Sequence, residues 1–191
     1  MISSIYNQEL LRLLDKKEKE IIHLKQKLNN IEKHADMDDL MEIFNKRKGI
    51  NQLEIEMSKA VISMQPLTLC FIDVDDLKKI NDTLGHCQGD NILIAISNLI
   101  KKNVRKSDTV FRYGGDEIVI ILPNTNLEEA DNICRRIDNC LMNLNIHNIP
   151  FKISLSKGLV EFDLNKNKSP REFIKEADVI MYNEKEKKKA I

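Results

Sequence analysis

Two clusters of carboxylates and one of ammonium groups stand out in this chain by type and spacing. Asp73-Val74-Asp75-Asp76 closes an apolar run, Gly114-Gly115-Asp116-Glu117 lies between two others, and Lys185, Lys187, Lys188 and Lys189 crowd the C-terminal end. Asp73 paired with Asp116 is a donor set for Mg2+, which takes oxygen ligands from one or two carboxylates and fills its shell with substrate phosphates and waters. Mn2+ is the alternative cation. Two glycines beside two carboxylates leave room for a bulky ligand to approach the main chain, and clustered lysines can meet a polyphosphate. Each cluster has an ordinary reading as well: acidic residues after a strand cap turns, and terminal lysine runs are solvated. Only their joint occurrence points to phosphate chemistry.

The surrounding pattern supplies elements to position them. Lys48 to Ser63 carries apolar residues at helical spacing. Leu67 to Val74 is a continuous apolar run between Pro66 and Asp75, which reads as a buried strand with Asp73 near its carboxyl end, a common place for ligands in open α/β sheets. Asp90 to Val104 is helical by period, Thr109 to Tyr113 and Glu117 to Leu122 form a hairpin around Gly114-Gly115, and Leu127 to Leu144 is helical again. Phe151 to Phe162 is a further strand region, and Ser169-Pro170 opens a last helix toward Lys189. This order predicts an α/β domain with a central sheet of about five strands flanked by helices.

Ahead of it, Leu10, Leu14, Ile21, Leu24, Leu28, Ile31 and Ala35 fall at three- and four-residue steps broken only by Lys17. The expectation is a helix over residues 1–35 that pairs with a second copy as a coiled coil, or one that packs back on its own domain, followed by a globular domain over 36–191. The 191 residues suit one such domain and one extension. Thirty basic and thirty acidic side chains cancel, so bulk charge does not point to a nucleic-acid binder. Cys70, Cys87, Cys134 and Cys140 have neither zinc-ligand nor C-x-x-C spacing and read as reduced thiols. No uninterrupted apolar run reaches the ~18 residues needed to span a bilayer. The expected location is the cytoplasm, with no membrane partner.

Several motifs resemble one family in register. Phe71 to Asp90 reads FIDVDDLKKINDTLGHCQGD, which is similar to the GGDEF family's D-x-D-x-F-K-x-I-N-D-x-x-G-H-x-x-G-D segment with Leu77 in place of Phe. Gly114 to Ile118 reads GGDEI, Arg105 to Asp108 matches R-x-x-D five residues before it, Ser154 to Gly158 resembles the S-x-G strand, and Ala177-Asp178 to Lys185 resembles the closing A-D-x-x-x-Y-x-x-K helix. The resemblance implies a palm-like α/β fold shared with nucleotide cyclases and polymerases. It also implies a diguanylate cyclase: a homodimeric enzyme that condenses two GTP into cyclic di-GMP with release of two pyrophosphates.

Carried over position by position, the resemblance makes Asp73, Asp116 and the Val74 carbonyl magnesium ligands. Glu117 becomes a further ligand or the group that helps deprotonate the ribose 3′-hydroxyl. It sets Asn81 and Asp90 on the guanine edge, Lys78, Lys185 and Lys189 on the β- and γ-phosphates, and Gly114 and Gly115 beside the nucleotide. Arg105 and Asp108, with Arg136, become an inhibitory site for the product; a surface salt bridge is the plain alternative. His86 and His147 read as ordinary polar positions.

Two stretches depart from the pattern. Met41-Glu42 replaces Thr-Gly in the lead motif, and Lys188-Lys189-Ala190 replaces Gly-Arg-Asn after the last helix. If Lys189 stands in for the arginine, charge survives but a planar two-point grip on phosphate does not. Competing readings are a non-catalytic GTP or cyclic di-GMP receptor and a structural dimerisation module. Intact Asp73, Asp116 and Glu117 favour the enzyme. A separate sensor protein docking on the N-terminal helix is a further expected partner.

Overall fold

The computed structural model describes residues 11–14, 16–25, 27, 36–144 and 152–190. The chain divides into two compact units, Met1–Asp36 and Met37–Ile191. In the first, residues 11–14 and 16–25 are helical. Leu14, Ile21 and Leu24 of the heptad seam are each more than half exposed within the single chain (57%, 51% and 56%). Leu10, Leu28, Ile31 and Ala35 lie outside the described residues. No helix among the described residues is long and apolar enough to cross a membrane.

The second unit opens with α1 (Lys46–Ser63), whose first turn is capped by the Asn45 side chain accepting from the Lys48 N–H. β1 (Leu67–Val74) follows, buried along its whole length. Next come α2 (Leu77–Leu84) and α3 (His86–Asn103), separated by Gly85 at φ 85°, a conformation that favours glycine. β2 (Thr109–Arg112) and β3 (Glu117–Pro123) form the expected hairpin. α4 (Leu127–Met142), β4 (Leu155–Glu161) and α5 (Pro170–Lys189) complete the unit. Asn126 with Glu129, and Ser169 with Glu172, form capping boxes at the starts of α4 and α5, so both boundaries are set by local hydrogen bonds.

The strands make one antiparallel sheet of order β2-β3-β1-β4. Four strands among the described residues replace the five or so expected, and the strand expected over Phe151–Phe162 is described over Leu155–Glu161. The acidic residues gather at one end of the sheet because the end of β1 and the start of β3 coincide in register. α2 is an element that the sequence pattern did not separate from its surroundings; eight residues carry too few periods to show a helix.

Side chains alternate across the sheet. Ile72, Val74, Ile118 and Ile120 pack with Ile92, Ile96 and Ile100 of α3 and Ile133 and Ile137 of α4. Leu69, Phe71, Val119 and Ile121 pack on the other face with Leu53 and Met57 of α1 and Phe173, Ala177 and Met181 of α5. Asp73 and Glu117 continue that second face past its apolar end, so α1 and α5 are the helices that flank them.

Candidate active site

Strand register assembles the acidic centre. Asp73 of β1 lies directly across from Glu117 of β3 and, on its other side, from Ser156 of β4. The Val74 N–H donates to the Asp116 carbonyl at 3.2 Å, which ties residue 116 to the end of β1. Asp73 is buried, at 7% exposure, and its carboxylate accepts from the Lys185 ammonium of α5. Burial pushes the Asp73 carboxyl above its ordinary range, the Lys185 hydrogen bond pulls it back, and the neighbouring Asp116 charge raises it again. Glu117 is likewise raised, by burial first and then by Asp116, Asp178 and Asp73, against the opposing charge of Lys46.

Carboxylates that repel one another, with Lys185 on Asp73 and the Lys46 charge near Glu117, suit a hard divalent cation. Among the described residues no three ligating side chains converge into a preformed cage. Two carboxylates with an open remaining shell are nonetheless the donor set that Mg2+ accepts when substrate phosphates complete it.

The glycine tip is held from one side. Arg112, which the sequence reading passed over, donates from Nε and Nη2 to the carbonyls of Gly114 and Gly115 and from Nη1 to both carboxylate oxygens of Asp38 at 3.1 Å. Asp38 in turn accepts the N–H groups of Leu40 and Met41, so Arg112 ties the hairpin to residues 38–41. An arginine two residues before Gly114 is the local signal for this brace. The two glycines differ in what they answer to. A Cβ on Gly114 would sit 2.2 Å from Glu117 Oε2, whereas one on Gly115 would meet nothing within 4 Å. A Cβ at the first would displace only the far end of the Glu117 side chain, and the second faces open space.

α2 and α3 meet at Asn81 and Gly89. Asn81 Oδ1 is the one buried side-chain polar atom among the described residues without a hydrogen-bond partner, and a Cβ on Gly89 would lie 1.9 Å from it. An unsatisfied buried acceptor costs about 1–3 kcal/mol, so this amide is poised for a partner the chain itself does not supply. Asp90, exposed beside Gly89, and Lys78, exposed on α2, border the same region.

The lysines of α5 divide their tasks. Lys185 reaches Asp73. Lys189 pairs with Glu186 at 2.8 Å on the helix surface and makes no contact with the carboxylate centre. Lys188, one of the clustered lysines that the sequence offers to a polyphosphate, instead reaches the Leu155 carbonyl at 2.6 Å and lies 3.5 Å from Asp75. Asp75 accepts the Ser154 and Ser156 hydroxyls at 2.6 Å each. Although burial works to raise Asp75, those two hydrogen bonds and the Lys188 charge hold it below the usual carboxylate range.

Arg105 and Asp108 lie just past the C-terminal end of α3. The Asp108 carboxylate takes the main-chain N–H of Arg105 at 2.7 Å, not its guanidinium, so the plain salt-bridge reading is replaced by a turn that leaves the Arg105 side chain exposed. Arg136 Nη2 donates to the Asn103 carbonyl two residues before Arg105. A cavity of about 240 Å³ opens there between Glu42, Lys101, Arg105 and Asp108.

The family model described as "Diguanylate cyclase, GGDEF domain" matches residues 35–190. The response regulator PleD of Caulobacter vibrioides (strain NA1000 / CB15N) is 30% identical over 171 residues, which are 85% of this chain and 37% of that protein. The diguanylate cyclase DosC of Escherichia coli (strain K12) is 35% identical over 164 residues, 83% of this chain and 35% of that protein. The chain thus spans little more than a third of the length of these curated relatives. The crystal structure of the coiled coil and GGDEF domain of DgcB from Caulobacter crescentus, in complex with c-di-GMP, matches with a TM-score of 0.82 at 22% identity over 93% of this chain and 94% of that one, a likeness of fold. Diguanylate cyclase SiaD of Pseudomonas aeruginosa, in complex with its activator SiaC, matches with a TM-score of 0.77 at 25% identity over 97% of this chain and 73% of that one.

Proposed function

Since this chain belongs to the GGDEF domain family, we propose that it is a diguanylate cyclase that condenses two GTP molecules into cyclic di-GMP as a homodimer. The observation that carries this reading is the register pairing Asp73 with Glu117, beside Asp116 and under Lys185. Mg2+, held by Asp73 and Asp116 with the Val74 carbonyl, would supply charge neutralisation at the reacting phosphate.

The chain's own groups do the rest. Asn81 and Asp90 bind the guanine edge; the orphaned Asn81 oxygen gains there the donor it lacks. Adenine, with different donors and acceptors, leaves such groups unpaired. Lys185 passes from Asp73 to the triphosphate, with Lys78 and Lys189 beside it, and Gly115 leaves room for the nucleotide. Glu117, whose affinity for a proton is raised, accepts the proton of the 3′-hydroxyl as that oxygen attacks the α-phosphorus of the other GTP. The new phosphodiester bond forms as the bond to the β-phosphate oxygen breaks, and pyrophosphate leaves.

Each domain offers one GTP, so two must face each other. Pairing of residues 1–35 as a coiled coil would supply the high effective concentration this needs. Arg105, with Asp108 and Arg136, forms the site at which product inhibits, since arginine grips phosphate bidentately. The test is incubation of the purified protein with GTP and Mg2+, products identified by chromatography and mass, against an Asp116→Asn control. Cyclic di-GMP from the wild type alone is expected. Binding of GTP without turnover at high enzyme concentration refutes the cyclase in favour of a receptor.

A further inference from the structure

β4 is an edge strand: within the described sheet it pairs only with β1. Its outward main-chain groups need partners, and an unpaired edge is ordinarily covered or charged. α5 does this with two side chains one turn apart. Glu184 accepts the Lys157 N–H at 3.2 Å, and Lys188 donates to the Leu155 carbonyl at 2.6 Å. The same Lys188 ammonium pairs with Glu184 at 2.8 Å, approaches the Ser156 hydroxyl at 3.4 Å and lies 3.5 Å from Asp75. Asp75 is itself fixed by Ser154 and Ser156 at the end of β1, two residues from Asp73.

One ammonium therefore joins three pieces: the last turn of α5, the free edge of β4 and the acidic end of β1. Lys185, three residues earlier on the same helix, sits on Asp73. Around it Tyr182, Asn183, Glu186, Lys187 and Lys189 are exposed, and the Lys188 side chain is itself 39% exposed, so polar contacts rather than burial fix its place.

We infer that Lys188 is a positioning residue, which does not itself touch substrate but pins the last turn of α5 to β4 and Asp75 so that Lys185 meets the triphosphate of GTP. This rests on the cyclase reading above. It also makes sense of the Lys188-Lys189-Ala190 departure: where the family pattern has a glycine, this chain has a lysine within α5 whose ammonium reaches β4 and Asp75.

The experiment compares wild type with Lys188→Met, which keeps the aliphatic stem and removes the donor, Lys188→Arg, which restores a charged donor, and Glu184→Gln, which weakens the second fastening. Binding of Mg2+ and 3′-deoxy-GTP is measured without turnover, because that nucleotide lacks the attacking hydroxyl; KM and kcat for GTP and the thermal midpoint are measured alongside. Loss of one well-placed charged contact to phosphate predicts about a tenfold weaker 3′-deoxy-GTP affinity and a matching rise in KM for Lys188→Met. A kcat change under about twofold, most of the affinity back in Lys188→Arg, and a smaller loss in Glu184→Gln complete the expectation. Unchanged affinity in Lys188→Met overturns the inference, as does a fall in thermal midpoint and kcat with KM untouched, the mark of a merely structural role. A wild type that neither binds 3′-deoxy-GTP nor makes cyclic di-GMP removes the cyclase reading, and this inference with it.

Discussion

Replacing Gly158 with alanine tests how α5 is brought to the site. Gly158 lies across from Phe71 on β4, under the helix. A Cβ there would stand 2.0 Å from the Ala177 carbonyl oxygen and 2.5 Å from the Met181 nitrogen. Both are main-chain atoms, so no rotamer change relieves the clash. A carbon normally stays about 3.3 Å or more from a carbonyl oxygen, so α5 must retreat by roughly 1 Å. Overpacking of this kind costs about 1–3 kcal/mol, and at about 2–4 °C per kcal/mol for a chain of this size the midpoint falls by roughly 6 °C. The retreat carries Lys185 away from Asp73, and losing that grip on phosphate raises KM for GTP about tenfold. Thermal unfolding and steady-state kinetics on Gly158→Ala read both effects. Gly115→Ala is the control: with open space at its Cβ it should keep the wild-type midpoint while impairing nucleotide binding. A Gly158→Ala protein with wild-type midpoint and wild-type KM would refute the reasoning.

Three other outcomes are expected. Asp73 and Glu117 bind protons more tightly folded than unfolded, so their contribution to the stability of the metal-free chain grows as pH falls from neutral toward the ordinary carboxylate range and is lost as pH rises through their raised values. The wild-type midpoint should therefore gain on that of an Asp73→Asn, Glu117→Gln double variant between about pH 7 and pH 4; a constant difference contradicts this. Arg105→Ala should leave the initial rate unchanged and require at least tenfold more cyclic di-GMP for half-inhibition, since each charged contact is worth about a factor of ten; wild-type inhibition would remove Arg105 from the product site. Ile21→Lys with Leu24→Lys, on the exposed seam of the N-terminal helix, should abolish dimers in sedimentation and activity at low protein concentration. A monomer with full specific activity would end the coiled-coil reading.

Most of the framework was legible because its signals are local. Leu67–Val74 reads as a strand because eight consecutive positions are buried on both faces. Ser169-Pro170 marks the start of α5 because its cap bonds reach only three residues ahead. The carboxylates and the Gly-Gly tip were found by residue type and spacing, and the structure sets Asp73, Asp116 and Glu117 side by side. The boundaries between short helices were not legible, because one or two turns show too little period.

What tertiary structure decided was which of several equivalent residues faces which partner. Nothing in Lys187-Lys188-Lys189 says that the middle one turns to the β4 edge while the last pairs on the surface with Glu186. Nor does spacing say that Asp75 is fastened by two serines 79 and 81 residues away while Asp73 stays poised under a lysine. Cys70 and Cys134, 64 residues apart with no motif between them, have their sulfurs 3.6 Å apart in the core. The sequence by itself determined which chemistry the chain carries, since side-chain type and local hydrogen bonding are written residue by residue. Strand register and the approach of α5 over Gly158 decided which side chains meet, because those contacts depend on how distant segments pack.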